Sequence, residues 1–156
     1  MNLYPYFEAP NIYAGTDPAI FLAGGISGTP DWQREATERL RGTAVVLNPR
    51  QANFPIENPL AARDQIKWEF EHLAKAAVVL FWFPDSGNVV QPIALFELGA
   101  YAYAGLHNKG IAVGAHPDYV RRQDVVMQLE LARPRLWIYD SLDEVMGATE
   151  RLIRKL

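Results

Sequence analysis

The sequence predicts an open α/β domain in which helices cover both faces of a sheet of about five parallel strands. Five short apolar runs alternate with longer segments that carry apolar residues at helical spacing. Strands that are apolar on both sides need cover on both sides, which a doubly wound sheet provides. A length of 156 residues suits one domain, so we predict a single domain over residues 1–156, with residues 1–18 as an N-terminal extension.

The predicted elements alternate regularly along the chain. The strands are the apolar runs Ala19–Ala23, Thr43–Leu47, Ala77–Phe83, Gly110–Gly114 and Leu136–Tyr139. The first helix is predicted to begin after an N-cap at Thr29, with Pro30 at its first position, and to end at Gly42. The other helices are predicted to span Ala61–Ala76, Pro92–Leu106, Tyr119–Ala132 and Ser141–Lys155, the last with a Ser-x-x-Glu capping box. This order predicts the flavodoxin-like form of the doubly wound fold.

The composition excludes several classes of function. The 18 acidic residues outnumber 15 basic ones for a net charge of -3, which argues against a nucleic-acid polymer as partner. The absence of Cys excludes disulfide scaffolds, thiolate zinc sites and Cys catalysis. His72, His107 and His116 lack metal-like spacing, so we expect them to be structural or solvent-facing and expect no metal site.

The sequence has no segment typical of membrane insertion or export. No apolar stretch approaches the roughly 20 residues of a membrane helix. Residues 1–18 contain no Lys or Arg and no continuous apolar run, which is unlike a signal peptide. We therefore expect a cytoplasmic protein whose chemistry depends on carboxylates, hydroxyls or amides.

Glu97 stands out among the acidic residues because the predicted helix around it is apolar on every side. It is the only charged residue of the segment Ile93–Ala102. Such a helix is expected to be buried, where an ionised carboxylate is unfavourable unless it is paired or used. Glu97 therefore either bonds a buried neighbour, as a cap or a Tyr partner, or takes part in chemistry.

A second carboxylate, Glu69, lies at the edge of the apolar stripe predicted for the second helix. At 3.6 residues per turn that stripe consists of Ala62, Ile66, Phe70, Leu73 and Ala77. Glu71 lies on the opposite side, where it can pair with Lys67 and Lys75. We expect Glu69 to point inward or across a subunit contact, and Glu71 to be solvated.

Two loops at the carboxyl ends of the strands are candidate binding segments, since ligands of such sheets bind there. The turn Gly24–Thr29 offers backbone amides at a helix N-terminus, although a tight turn without a ligand would have the same sequence. It matches neither the dinucleotide fingerprint nor a P-loop. The loop Asn48–Pro59, with several prolines and asparagines, is of the kind that covers a site.

A Gly-rich turn after the first strand, an inward carboxylate on the second helix and Phe-Glu-Leu-Gly-Ala in the third helix follow one another along the chain. This arrangement resembles the nucleoside 2-deoxyribosyltransferase family. The most specific match is Phe96-Glu97-Leu98-Gly99, and the resemblance implies that Glu97 is the catalytic nucleophile. It implies that Glu69 contacts the nucleobase and supports proton transfer. Gly24, Gly25 and Ile26 would hold the substrate in the first loop. Asp124 lies near the position from which a neighbouring subunit contacts the nucleophile and the sugar.

Two positions depart from the family pattern. Phe21, counted with the substrate-binding residues, stands where well-known members carry a Tyr that orients the nucleophile. Gln91 replaces the Asp that lies six residues before the nucleophile. Asp85 is therefore an alternative to Glu69 as the carboxylate facing the base, with Asn88 or Gln91 as its amide partner. These changes indicate a divergent branch and leave the choice between purine and mixed base specificity open.

Deoxyribosyl transfer fits these residue types. Transfer with retention needs a carboxylate that attacks the anomeric carbon and a second acid that protonates the leaving base. We expect a deoxyribonucleoside and a free nucleobase as substrates, a covalent glycosyl-Glu97 intermediate, and no metal or organic cofactor. Asn48 and its loop would contribute to the base pocket. The resemblance implies a homo-oligomer with sites shared between subunits.

Two other functions are kept as alternatives. A nucleoside 5'-monophosphate N-glycosidase would use the same nucleophile but needs cationic groups for the phosphate. The chain has no basic residue between Gly24 and Gln33 or between Phe83 and Glu97. A non-catalytic nucleotide-sensing module on the same fold would keep the pocket without needing Glu97.

Overall fold

The computed structural model describes residues 3–103 and 109–156 of the chain. The strands are β1 (Tyr6–Glu8), β2 (Ala19–Gly24), β3 (Val45–Asn48), β4 (Val78–Phe83), β5 (Gly110–Ala115) and β6 (Ile138–Tyr139). The helices are α1 (Trp32–Leu40), α2 (Ala61–Lys75), α3 (Pro92–Tyr103), α4 (Arg122–Ala132) and α5 (Leu142–Ile153). His107 and the predicted end of the third helix at Leu106 lie outside the described residues.

The strands form one parallel sheet in the order β1-β3-β2-β4-β5-β6. The chain runs from β2 to β3 on one side and then crosses to β4 on the other, which confirms the doubly wound, flavodoxin-like prediction. The prediction of about five strands missed β1, which pairs with β3 from Tyr6 opposite Val46 to Glu8 opposite Asn48. With three half-buried residues, β1 has no apolar run that would have identified it.

Alternate residues of the central strands face two separate helix layers. Phe21 and Ala23 of β2 point into the cluster covered by α2, α3 and α4. Ile20 and Leu22 point to the opposite cluster, which α1 and α5 cover. This double cover is why β2 and β4 are apolar throughout.

The start of α1 differs from the prediction. Asp31, and not Thr29, caps the helix, because its side chain accepts a hydrogen bond from the Arg34 N–H at 3.3 Å. The Thr29 hydroxyl instead donates to the Gly25 carbonyl at 2.8 Å. The Thr29 hydroxyl therefore stabilises the preceding turn and does not cap the helix.

The apolar stripe predicted for α2 is correct at Leu73 but wrong at Ile66 and Phe70. Phe70 is 75% exposed and Ile66 is exposed as well, whereas the buried residues are Ala61, Trp68, His72 and Leu73. The Trp68 and His72 rings stack at 4.0 Å, and each bonds the N-terminal segment, through Asn11 O and the Tyr13 N–H respectively. A helical wheel that counts only apolar residues does not predict the burial of such rings, which are amphipathic and can be buried with a polar partner.

The expectation that α3 is buried all round is wrong as well, since Phe96 is 75% exposed and Ile93 is exposed. Elsewhere the differences are shifts of boundaries, with α4 beginning at Arg122 rather than Tyr119 and β6 limited to Ile138–Tyr139. Within the described parts of the chain, no helix combines the length and the apolar character needed to cross a membrane.

Candidate active site

A cavity of about 760 Å³ opens at the carboxyl ends of β2 and β4. This is the place where the strand order reverses, and ligands of open α/β sheets bind at such a switch point. The turn after β2, the segment before α3, the inner side of α2 and the loop after β3 form its walls. The volume lies in the range of pockets that hold small molecules.

The turn after β2 requires glycine because other groups approach it closely. A Cβ on Gly24 would lie 2.3 Å from the Trp82 carbonyl oxygen, and one on Gly25 would lie 2.6 Å from Cδ of Gln91. The Gly25 carbonyl accepts hydrogen bonds from Thr29, Trp32 and Gln33 side chains. In a trans peptide the following N–H points the opposite way, so the amide of Ile26 is directed away from α1.

Glu97 on α3 and Glu69 on α2 both line the cavity. Burial, together with the charge of Glu69, raises the pKa of Glu97 to about 8. Burial also raises the pKa of Glu69, although a hydrogen bond from Gln65 opposes that rise. Since simultaneous ionisation of both carboxyls is disfavoured, the pair tends to hold a proton near neutral pH.

In the described parts of the chain, the Glu97 carboxyl differs from that of Glu69 in its lack of hydrogen-bond partners. Among the residues that the structure describes, none donates a hydrogen bond to its carboxylate. Phe21 is buried in the cavity wall and has no hydroxyl to donate. Burial, and to a lesser extent the charge of Glu97, raises the pKa of Tyr101 one turn further along α3.

Glu69, in contrast, is held by two amide side chains that the sequence reasoning missed. Gln65 Nε2 donates to Glu69 Oε1 at 2.7 Å and to the Pro49 carbonyl at 2.7 Å. Gln51 Nε2 in turn donates to Gln65 Oε1 at 2.5 Å. The spacing of four residues between Gln65 and Glu69 was a signal for this contact, since such pairs meet on a helix.

Gln91 lies at the cavity wall in a conformation that is unusual for its residue type. Its φ of 57° is in the left-handed region, and the residue is 6% exposed. Its Nε2 donates to Ser86 Oγ at 3.1 Å, while its Oε1 is buried without a partner in the described parts of the chain. Because protein atoms cover this oxygen, a ligand hydroxyl or amine could bond it only after the side chain turned toward the cavity.

A family model described as "Nucleoside 2-deoxyribosyltransferase like" matches residues 17–119. The match includes the turn after β2, Glu69 and Glu97. The chain belongs to the nucleoside 2-deoxyribosyltransferase-like family. The comparison with curated proteins finds no match. Membership of this family indicates a transferase-like enzyme that acts on nucleosides or nucleobases.

Most of the residues expected to form a deoxyribosyltransferase-like site come together at the cavity. Its lining includes both glutamates and the predicted substrate-binding residues Phe21, Gly24, Gly25, Ile26 and Gln91. The proline-rich loop contributes Pro49, Gln51, Phe54 and Ile56. The sequence prediction named the loop but not these residues.

Three predicted site residues do not line the cavity. Asp85 is exposed and accepts a hydrogen bond from the Gly87 N–H at 3.2 Å. Asn48 is buried and bonds Tyr6 and the Arg50 N–H. Asp124 pairs with Arg121 at 3.0 Å on the surface. Of the two acidic alternatives, only Glu69 therefore lies with Glu97 within one protomer.

Asp85 instead lies near His116 and Asp118, beyond the ends of β4 and β5. Potential ligand atoms of the three residues lie within 4.8 Å of one another. However, His116 Nδ1 already accepts a hydrogen bond from the Asp118 N–H at 3.1 Å, which engages the lone pair that a cation would need. Both carboxylates are exposed.

Large apolar side chains are exposed around the mouth of the cavity. Four of them, Phe54, Ile56, Ile66 and Ile93, also line the cavity, whereas Phe70 of α2 and Phe96 of α3 do not. Most apolar side chains of this size are buried, and a cluster of exposed ones is typical of an interaction surface.

Proposed function

We propose that the protein transfers 2-deoxyribose between nucleobases by a retaining, two-step mechanism. The Glu97 carboxylate attacks C1' of a deoxyribonucleoside, so that a C1'–O bond forms and the C1'–N bond to the base breaks. A second base then attacks C1' and displaces Glu97. Two inversions give net retention. The observation that carries this proposal is the pairing of two carboxylates in a largely apolar cavity at the switch point of the sheet.

We assign the proton transfer to and from the base to Glu69. It donates its proton to the leaving base as the C1'–N bond breaks, and it takes one from the accepting base on the return path. The mechanism needs Glu97 ionised and Glu69 protonated. In the protein without substrate, the raised pKa of about 8 favours a protonated Glu97, so the mechanism requires this proton to leave Glu97, for Glu69 or for solvent, before the attack. The scheme uses no metal and no organic cofactor.

The cavity wall supplies groups for the rest of the nucleoside. Gln91 lines the cavity, and a turn of its side chain would present the unpaired Oε1 to a sugar hydroxyl or a base amino group. The Phe21 ring and the apolar side chains around it form much of the lining, so a bound nucleoside would displace water from the reacting centre. A dry site strengthens the attraction between Glu97 and the positive charge that develops on the sugar.

The lining favours an uncharged nucleoside over the 5'-monophosphate of the alternative glycosidase. Glu69 and Glu97 are the charged residues of the cavity lining, which includes no Lys, Arg or His in the part of the chain described. A phosphate dianion would be placed near two carboxylates without a cation, which is unfavourable. A deoxyribonucleoside carries no such charge.

We further propose that the protein is a homo-oligomer whose subunits cover the apolar rim of the cavity. Phe70 and Phe96 are each 75% exposed on α2 and α3. A second copy would bury these rings, and Asp124 from that copy would then reach the site, as the family resemblance implies. A sedimentation measurement that gives only monomers at micromolar concentration would contradict this part.

The decisive assay mixes the purified protein with 2'-deoxyinosine and free adenine or cytosine and separates the products by chromatography. A new deoxynucleoside is expected. Hypoxanthine formed without a new nucleoside would indicate hydrolysis, and no turnover would favour the sensing module. The same assay with 2'-deoxyinosine 5'-monophosphate should give slower turnover, and faster turnover would favour the glycosidase.

A further inference from the structure

The N-terminal strand lies outside the family match, which begins at residue 17, yet it contacts a wall of the cavity. The strand β1 pairs along β3 up to Glu8 opposite Asn48. The chain then continues with the Ala9 N–H donating to the Asn48 carbonyl at 3.0 Å. This places Glu8 next to the start of the loop that follows β3.

Glu8 bonds that loop directly through one carboxylate oxygen and is linked to its start through Tyr6 by the other. Its Oε1 accepts a hydrogen bond from the Ala52 N–H at 2.7 Å. Its Oε2 accepts from the Tyr6 hydroxyl at 2.8 Å, and that hydroxyl accepts from Asn48 Nδ2 at 3.0 Å. Burial raises the pKa of Tyr6 to about 12, so this hydroxyl stays protonated and can donate at neutral pH.

The same loop is tied to α1 on its other side. The Arg50 guanidinium donates to the carbonyls of Thr29 and Pro30 and to Gln33 Oε1, at 3.0–3.2 Å. From Ala52 to Leu60 every residue is exposed. The short stretch Asn48–Ala52 is therefore fixed by Glu8 on one side and Arg50 on the other, before the loop extends into solvent.

This fixed stretch in turn holds the side chain that bonds Glu69. One N–H of the Gln65 amide donates to the Pro49 carbonyl, and the oxygen of that amide accepts from Gln51 Nε2. The Gln65 amide therefore cannot rotate freely, and its second N–H remains directed at Glu69 Oε1 at 2.7 Å. A continuous series of hydrogen bonds and backbone runs from Glu8 to Glu69.

We propose that Glu8 is a positioning residue for deoxyribosyl transfer, acting through the stretch Asn48–Ala52 and Gln65 to hold the Glu69 carboxylate against the leaving base. The inference rests on the proposed role of Glu69 in proton transfer. Glu8 itself does not line the cavity and touches no reacting group. A segment outside the family match would thereby set the geometry of a group inside it.

The test compares Glu8→Ala with Glu8→Gln, which keeps a carbonyl oxygen for the Ala52 N–H. Glu57→Ala is the matched control, because Glu57 is an exposed carboxylate of the same loop outside the cavity lining. Tyr6→Phe removes one hydroxyl from the series and takes the place of Glu8→Ala if that variant does not fold. Thermal unfolding of each variant reports its folding.

The first readout is transfer with two kinds of leaving group. With 2'-deoxyinosine, Glu8→Ala should lower the rate about tenfold, the effect of one hydrogen bond to a charged acceptor. With 4-nitrophenyl 2-deoxyriboside, whose leaving group needs no proton, the rate should change little. Glu8→Gln and Glu57→Ala should remain near wild type. Equal losses with both substrates would overturn the proposal, since they would indicate a general structural role.

The second readout does not depend on activity. NMR of ¹³C-labelled glutamate carboxyls follows the titration of Glu69, identified with Glu69→Gln. Releasing Gln65 removes an N–H that stabilises the Glu69 anion, so the titration midpoint should rise in Glu8→Ala and not in Glu57→Ala. A midpoint that is unchanged or lowered would overturn the positioning role, even if the wild-type chain proved to have no transferase activity.

Discussion

The two helix layers of the sheet differ in how closely they follow the general rules of stability. On one side α1 and α5 are capped by Asp31 and Ser141 and are joined by Arg39, which bonds Glu150 at 2.9 Å. On the other side α2 starts without a side-chain cap. In α3 burial raises the pKa of the Glu97 carboxyl, whereas the apolar ring of Phe96 is exposed. The α1–α5 layer therefore follows the usual rules of helix capping and ion pairing more closely.

The α2–α3 layer combines several features that lower stability at one place. They are two carboxyls with raised pKa values, a residue with positive φ, an unpaired buried amide oxygen and exposed aromatic rings. Proteins keep such features where function requires them. The contrast supports our proposal that the site lies on this side of the sheet, and substitutions on the two sides should therefore have different effects.

The largest effect is expected for Glu97→Ala, which removes the proposed nucleophile. Transfer should fall by roughly 10⁴-fold or more, the scale of loss when a covalent nucleophile is deleted. Glu71→Ala is the matched control on α2, because Glu71 is exposed and pairs only with Lys67 at 3.7 Å in the described residues. It should be nearly silent, since a surface ion pair contributes little. A comparable loss in Glu71→Ala would contradict the account.

The next effect is expected for Glu69→Gln, which removes the proposed acid. Transfer from 2'-deoxyinosine should slow by about 10²–10⁴-fold, the usual contribution of a general acid. Release of 4-nitrophenol from its 2-deoxyriboside should slow far less. Asp85→Asn, a change at the alternative carboxylate, should leave both rates near wild type. The reverse pattern in these two variants would transfer the role to Asp85.

Glu97→Gln should raise stability while removing activity. Burial and the charge of Glu69 raise the folded-state pKa of Glu97 to about 8, above its ordinary value in the unfolded chain. Between these values the folded state binds more protons, so the free energy of unfolding falls as the pH rises. The variant should therefore gain about 1–3 kcal/mol at pH 8 and much less at pH 5. Urea unfolding at both pH values measures this, and an equal effect at both would contradict it.

The smallest effect is expected in the other layer. Ser141 caps α5, accepting from the Glu144 N–H at 3.3 Å while Glu144 accepts from the Ser141 N–H at 3.2 Å. Ser141→Ala should lower the free energy of unfolding by about 1 kcal/mol. Transfer should be unchanged at temperatures well below unfolding. A clear loss of turnover by the folded variant would mean that the two layers are not functionally separate.

The sequence predicted the α1–α5 side and the sheet well because their signals are local. Continuous apolar runs identify buried parallel strands, and the pattern from Ser141 to Glu144 identifies a capping box, which the structure contains. Glu71 is paired with Lys67 as predicted, whereas Lys75 instead lies over the Tyr13 ring at 5.1 Å. Such contacts depend on spacing within one helix.

The α2–α3 side was harder to predict because its contacts join segments that are distant in sequence. Trp68 is buried by a bond to Asn11, and Gln65 is held by the loop after β3, so a wheel of α2 alone misplaced its buried face. Glu97 was found because a single charge in an apolar segment is a local signal. The short strand β1, with its link from Glu8 to Ala52, left no such signal.

The most direct test of the central claim is to trap the covalent intermediate. The protein is incubated with a 2-deoxyriboside without an accepting base, quenched in acid and digested, and the peptides are mapped by mass spectrometry. We expect a deoxyribosyl adduct on the peptide that contains Glu97, absent in Glu97→Ala and retained in Glu71→Ala. Turnover without any adduct, or an adduct on another carboxylate, would contradict the assignment of Glu97 as the nucleophile.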